Sequence, residues 1–318
     1  MQETPPSKPW TRRDVARLGA VALAGVAGCA SEPEPQPAAA PAESAEIIDP
    51  HVHVWVNDPQ YPWPEENRNP PAEDFTPEML LALMAEHGVS KTVIVHPMHY
   101  RWDCRYVGDT LKKYPDKFEG VCRVNPEAPD AADELSKWTE EWGFRGVRLS
   151  PGTNASGDWI DNRSLMDPIW KRAQDLKVPM AILTKPPRLP AIAALTERHP
   201  DLDVVIDHMA DCPPQDMDQR KLLLDLARFP RTYVKISHTW NISETGEYPW
   251  RDTWDLVKSV YDSFGPERIM WGTDWPVCLS KTDYGSTLRL VKDEMDFFND
   301  EDKSWILGKT VRRLWPFA

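Results

Sequence analysis

The chain has 318 residues, 41% hydrophobic and 27% charged, a globular balance that excludes an intrinsically disordered polymer. A formal net charge of −13, with no Lys/Arg cluster beyond the N-terminus, argues against a nucleic-acid binder. The length suits two small domains or one large α/β barrel, and composition does not choose between them.

Residues 1–28 read as an address. Arg12-Arg13 precedes Leu18–Gly28, an apolar run of small residues too short and too weakly hydrophobic to be a stable membrane span. The arrangement resembles a Tat-type signal, which directs folded proteins out of the cytoplasm. Val26-Ala27-Gly28-Cys29 resembles a bacterial lipobox. The expectation is Tat export to the periplasm, with membrane contact only through a lipid on Cys29. Residues 29–45 are rich in Pro, Ala and Glu, and read as an extended tether. The folded domain is expected at 46–318. Cys104, Cys122, Cys212 and Cys278 lack Cys-x-x-Cys spacing and are expected as half-buried free thiols.

From residue 46 onward, short β-branched runs alternate with helical segments. Strands are predicted at 46–54, 91–96, 118–124, 144–149, 178–183, 203–208, 232–237 and 268–274. Their nearly continuous apolar character suits strands buried on both faces. Thr76-Pro77-Glu78 reads as an N-cap, a first-turn proline and an early acid, with Gly88 as the stop. Further helices are predicted at 104–114, 130–143, 162–176, 188–198, 218–228, 251–265 and 286–299, and a terminal one at 301–314. Eight strands, each followed by a helix, predict a single-domain (β/α)8 TIM barrel with an extra C-terminal helix. A doubly wound open sheet is the competing fold, but no Gly-rich dinucleotide fingerprint follows the first strand.

In such barrels the chemistry gathers at the C-terminal strand ends. His51 and His53 end the first strand and share a face, because side chains alternate. His96, followed by His99, ends the second strand, and Arg123 the third. Arg148 ends the fourth, Lys185 follows the fifth, Asp207-His208 closes the sixth, His238 follows the seventh, and Asp274 ends the eighth. Six of the eight histidines fall at these ends, whereas His87 and His199 sit at helix ends. That sorting favours catalysis over core filling. Trp240 and Trp102 are candidate pocket walls, and the loops around 61–64 and 239–250 are candidate specificity elements.

Asp49-x-His51-x-His53, Asp207-His208 and the segment Phe264–Pro276, with Gly272-Thr273-Asp274-Trp275-Pro276 at its core, together resemble the amidohydrolase superfamily. Within it they resemble the lactonase branch that acts on sugar lactones and on 2-pyrone-4,6-dicarboxylate. The resemblance covers residues 46–316 and departs from the usual pattern at Lys309-Thr310 in the last helix. It implies a small-molecule substrate and a reaction centre of His51, His53, His208 and Asp274. Asp274 is the implied general base that activates water for attack on a lactone or activated ester. Arg148 and Lys185 are candidates to orient the substrate, with His96, His238 and Trp240 lining the pocket.

Members with two metals use a bridging lysine or glutamate at strand four and a histidine at strand five. Here Arg148 and Thr184-Lys185 occupy those places, which argues against a binuclear site. One divalent cation, zinc by donor type, on His51, His53 and Asp274 with His208 as a fourth candidate remains open. Metal-free chemistry remains open beside it. Two other functions share the pattern: a metal-dependent non-oxidative decarboxylase and a lipid-anchored, non-catalytic binding protein.

Overall fold

The computed structural model describes residues 46–151 and 158–317. The expected export signal, Cys29 and the expected tether lie outside the described residues.

Eight strands appear in chain order: β1 (Ile48–Val52), β2 (Lys91–Val95), β3 (Phe118–Arg123), β4 (Val147–Leu149), β5 (Met180–Ile182), β6 (Val204–Ile206), β7 (Thr232–Lys235) and β8 (Ile269–Met270). Each pairs in parallel with the next in one sheet. Past β8 the sheet meets β1 again: His53 N donates to Trp275 O at 2.7 Å, and Asp274 N donates to His51 O at 2.9 Å. The (β/α)8 barrel of the sequence reading is therefore the observed fold. His51, Arg123 and Arg148 lie within their strands, whereas His53, His96, Asp207, His208 and Asp274 lie in the segments that follow, and most strands are shorter than expected.

Alternation along the strands builds two apolar layers. Val93, Val95, Val121, Ala181, Val205 and Met270 form a buried cluster with Val311, Trp315 and Phe317 of the C-terminal segment. The alternate residues, among them Ile94, Cys122, Met180, Ile182, Ile206 and Val234, belong to the larger core shared with the helices. The chain's last turn thus packs with one set of strand side chains while the helices cover the other.

The helices follow their caps. α1 (Pro77–His87) starts at Thr76, whose hydroxyl accepts from Met79 N, and ends at Gly88 with φ 71°. α2 (Arg105–Lys113), α3 (Ala131–Glu140), α4 (Arg163–Leu176), α5 (Leu189–Arg198) and α6 (Met217–Leu224) fall where expected. α7 (Thr239–Ile242) is a single turn ahead of α8 (Trp254–Phe264). The helix expected at 286–299 differs. Asp283 caps α9 (Tyr284–Arg289) two residues early, a wide turn follows to Glu294, and Asn299 opens α10 (Asp300–Ser304) with a reciprocal capping box. α11 (Thr310–Leu314) completes the terminal helical segment. The four cysteines from Cys104 onward are free thiols, fully buried rather than half-buried. Among the described residues no helix is long and apolar enough to cross a membrane.

Candidate active site

The closure of the barrel builds the site. Asp49 is wholly buried in β1. One carboxylate oxygen accepts from His51 N (3.1 Å) and Thr273 N (3.2 Å), and the other from the Thr273 hydroxyl (2.6 Å). Gly272 permits this approach, since a Cβ there would stand 3.2 Å from His51 Cβ. Asp49 therefore fastens the strand carrying the two histidines to the segment carrying Asp274. Burial raises its pKa to about 6 against the bonds from Thr273 and His51.

Asp274 stands at the centre, 3% exposed, with a left-handed φ of 55°. Its Oδ1 lies 3.0 Å from His53 Nε2 and 3.6 Å from His51 Nε2, and its Oδ2 lies 2.5 Å from His238 Nε2. His53 is oriented from behind, its Nδ1 lying 2.6 Å from the Val95 carbonyl oxygen. His238 donates its other ring nitrogen to Asp211 Oδ1 at 2.8 Å, and Lys185 Nζ holds Asp211 Oδ2 at 2.7 Å. His208 stacks flat on His238, with centroids 3.5 Å apart, and its Nδ1 lies 2.7 Å from the Ser237 hydroxyl. Residues 208–211 and His238 all have positive φ, a conformation held here by the surrounding packing.

Beneath them lies a charged layer. Lys235 is fully buried in β7, 3.0 Å from Asp207 Oδ1 and 3.1 Å from His51 Nδ1. Arg148 Nε donates to Asp207 Oδ2 at 2.8 Å. Burial works against ionising Asp207, but Lys235 and Arg148 hold it well below the usual carboxylate range. Burial, with Lys235 beside it, pushes His51 down to about 3. Burial and the neighbouring His238 depress His208 well below its ordinary value. His238 moves the other way. Despite burial, Asp274 and Asp211 raise it to about 9, so it is an imidazolium at neutral pH. Burial opposes the charge on Asp274, but His238 and the bond from His53 keep it ionised.

The donor set suits a cation. His51 Nε2 is buried without a hydrogen-bond partner and faces Asp274 Oδ1, which also lies 3.0 Å from His53 Nε2. Together with His53 they offer ligand atoms within 4.8 Å of each other. Asp207, 3.4 Å from His51 Nδ1, is placed to orient that ring as a ligand.

A cavity of about 250 Å³ opens over this centre, lined by His53, Trp55, Met98, Arg148, His208, His238, Asp274 and neighbouring side chains. Five predicted site residues, His53, Arg148, His208, His238 and Asp274, line it, and His51 sits just behind. Three do not. Lys185 is half-exposed and spent on Asp211, because its strand end turns it outward. His96 packs beside Tyr100 with ring centroids 6.0 Å apart, and Trp240 supports His238 at 4.7 Å from behind. Trp102 is also off this wall, stacked under the Arg123 guanidinium at 5.8 Å. Arg148 lines the cavity, yet its Nε is committed to Asp207.

Sequence reasoning missed Lys235, Ser237 and Asp211. Lys235 carried a signal, since a charge inside the apolar run Tyr233-Val234-Lys235-Ile236 must find a buried counter-charge. Nothing local marks Ser237 or Asp211.

The amidohydrolase family model matches residues 48–317. The chain is 31% identical over 274 residues to an L-fucono-1,5-lactonase of Burkholderia ambifaria, covering 80% of this chain and 90% of that protein. It is 28% identical over 236 residues to a 4-sulfomuconolactone hydrolase of Hydrogenophaga intermedia, covering 72% and 74%. In structure it resembles an amidohydrolase from Burkholderia multivorans with bound zinc, at 24% identity and a TM-score of 0.71 over 86% of this chain and 100% of that one.

Proposed function

The chain belongs to the amidohydrolase family, and from that premise we propose that it opens a lactone by hydrolysis. One observation carries the reading. Asp274 presents an ionised carboxylate oxygen, flanked by the ring nitrogens of His53 (3.0 Å) and His51 (3.6 Å), at the floor of the cavity. That oxygen takes a proton from water as the water attacks the lactone carbonyl. The tetrahedral centre collapses by breaking its bond to the ring oxygen, which takes the proton back from Asp274 and leaves as the hydroxyl of a hydroxy acid, restoring the carboxylate. His238, bonded to the other oxygen of Asp274, keeps the base turned toward the cavity. Arg148, on the cavity wall, is the cationic group nearest in kind to what a developing oxyanion needs.

His51, His53 and Asp274, with His208 beside them, are the residues that would hold a divalent cation. A cation bound there acidifies water and polarises the carbonyl. Sequence kinship with lactone hydrolases supports this reaction over decarboxylation, as does the lack of a histidine at the end of β5, where Thr184 bonds Pro151 O. Asp274→Asn is expected to lower kcat about 10²- to 10⁴-fold while the circular dichroism spectrum stays native. Wild-type turnover in that variant would refute the assignment.

We also propose Tat export and lipid anchoring through Cys29. Cys29→Ser should release the protein from the membrane fraction, and continued membrane association would overturn the anchor.

A further inference from the structure

The cavity wall has two characters. Its floor is the charged centre, whereas Trp55, Pro97, Met98, Leu183 and Val277 form its sides and rim. Met98 is 40% exposed and Val277 42% exposed. Only six large hydrophobic side chains are that open among the described residues, and two of them line this cavity. Leu279, 45% exposed, follows Val277 in the same turn. Apolar side chains left open at a catalytic mouth lack a covering partner within the described fold, and a substrate is the occupant that reaches them.

Four polar groups at the floor of the cavity each make at least one bond already. His53 bonds Val95 O, His208 bonds Ser237, His238 bonds Asp211 and Asp274, and Arg148 Nε bonds Asp207. The ring contacts of His99 are with the aromatic faces of Trp55 and Trp63. A polyhydroxylated ring needs a donor or acceptor for each hydroxyl that loses water on entry. The polar atoms that remain belong to the floor, whereas the sides and rim supply apolar surface. The volume, about 250 Å³, lies below the usual range for drug-sized ligands and suits one ring with a short substituent.

Resting on the lactonase reading, we infer that the substrate is a lactone bearing an apolar substituent, with its carbonyl over Asp274 and its alkyl or aryl group against Met98 and Val277. A hydroxyl-rich sugar lactone is the alternative this excludes.

The test is steady-state hydrolysis by the full-length protein of a matched series: δ-valerolactone, δ-octalactone, δ-decalactone and D-glucono-1,5-lactone. On this inference kcat/KM rises about fourfold per methylene reaching the wall, and glucono-lactone falls at least tenfold below the best alkyl lactone. Val277→Asp, at an exposed position that tolerates charge, is expected to flatten the dependence on chain length. Equal or better turnover of glucono-lactone would overturn the inference while leaving lactone hydrolysis intact. So would an unchanged chain-length slope in Val277→Asp. Turnover of no lactone at all would overturn the lactonase reading and this inference together.

Discussion

Asp211→Asn tests the electrostatic design of the site most directly. His238 sits between two carboxylates, 2.8 Å from Asp211 and 2.5 Å from Asp274. Raising the imidazolium from 6.5 to about 9 corresponds to about 3 kcal/mol of folded-state preference, shared by the two acids against burial. A folded pKa above the unfolded one means this stability is fully present below pH 6.5 and is lost as pH rises through about 9. Asparagine keeps the shape and removes the charge, and Lys185, half-exposed, loses little by going unpaired. One charge-assisted buried bond is worth about 1.5–3 kcal/mol, so the variant is expected to lose about 2 kcal/mol at pH 7. At about 2–4 °C per kcal/mol for a domain of this size, the thermal midpoint falls by about 4–8 °C. Urea unfolding followed by tryptophan fluorescence between pH 6 and pH 10 gives the difference curve. The gap between variant and wild type should narrow as pH rises past 9. A gap of constant size across that range would refute the charge argument, and no gap at all would refute the pairing.

Thr273→Val removes the hydroxyl bonded at 2.6 Å to buried Asp49. Because the folded pKa of Asp49, about 6, exceeds its ordinary 3.8, stability attributable to it falls as pH rises from about 4 through 6. Losing the donor should extend that fall upward, with about 1.5–3 kcal/mol lost at pH 7 and less at pH 5. Equal losses at both pH values in thermal melts would contradict this. Elemental analysis of the purified protein should find no more than one divalent cation per chain, and His53→Asn should diminish it. Two equivalents would contradict the assignment of Arg148 to Asp207.

The barrel was legible because its determinants are local. β-branched runs, Thr76 before Pro77 and Gly88 after His87 each speak within a few residues. The His51/His53 pair was legible from the two-residue period of a strand, and Asp274 from the motif around it. Pairing across the barrel was not. Lys235 meets His51 across 184 positions and Arg148 meets Asp207 across 59, and no spacing rule encodes such meetings. Lys185 was misread for the same reason. Its strand end was visible, but its attraction to Asp211 was not. Asp49 was visible as a motif letter, while its work as a clasp emerged only with Thr273 in place.

The seam between β1 and the segment after β8 has a consequence for assembly. It joins His51 to Asp274, residues far apart in the sequence, and both backbone hydrogen bonds that close it involve residues of the candidate site. Contacts of such long sequence separation carry the largest loop-closure cost. A nascent or partly folded chain can therefore possess most of its strands and still lack Asp274 beside its histidines. Catalytic competence is a property of the completed ring, and activity reports whether the last strand has met the first.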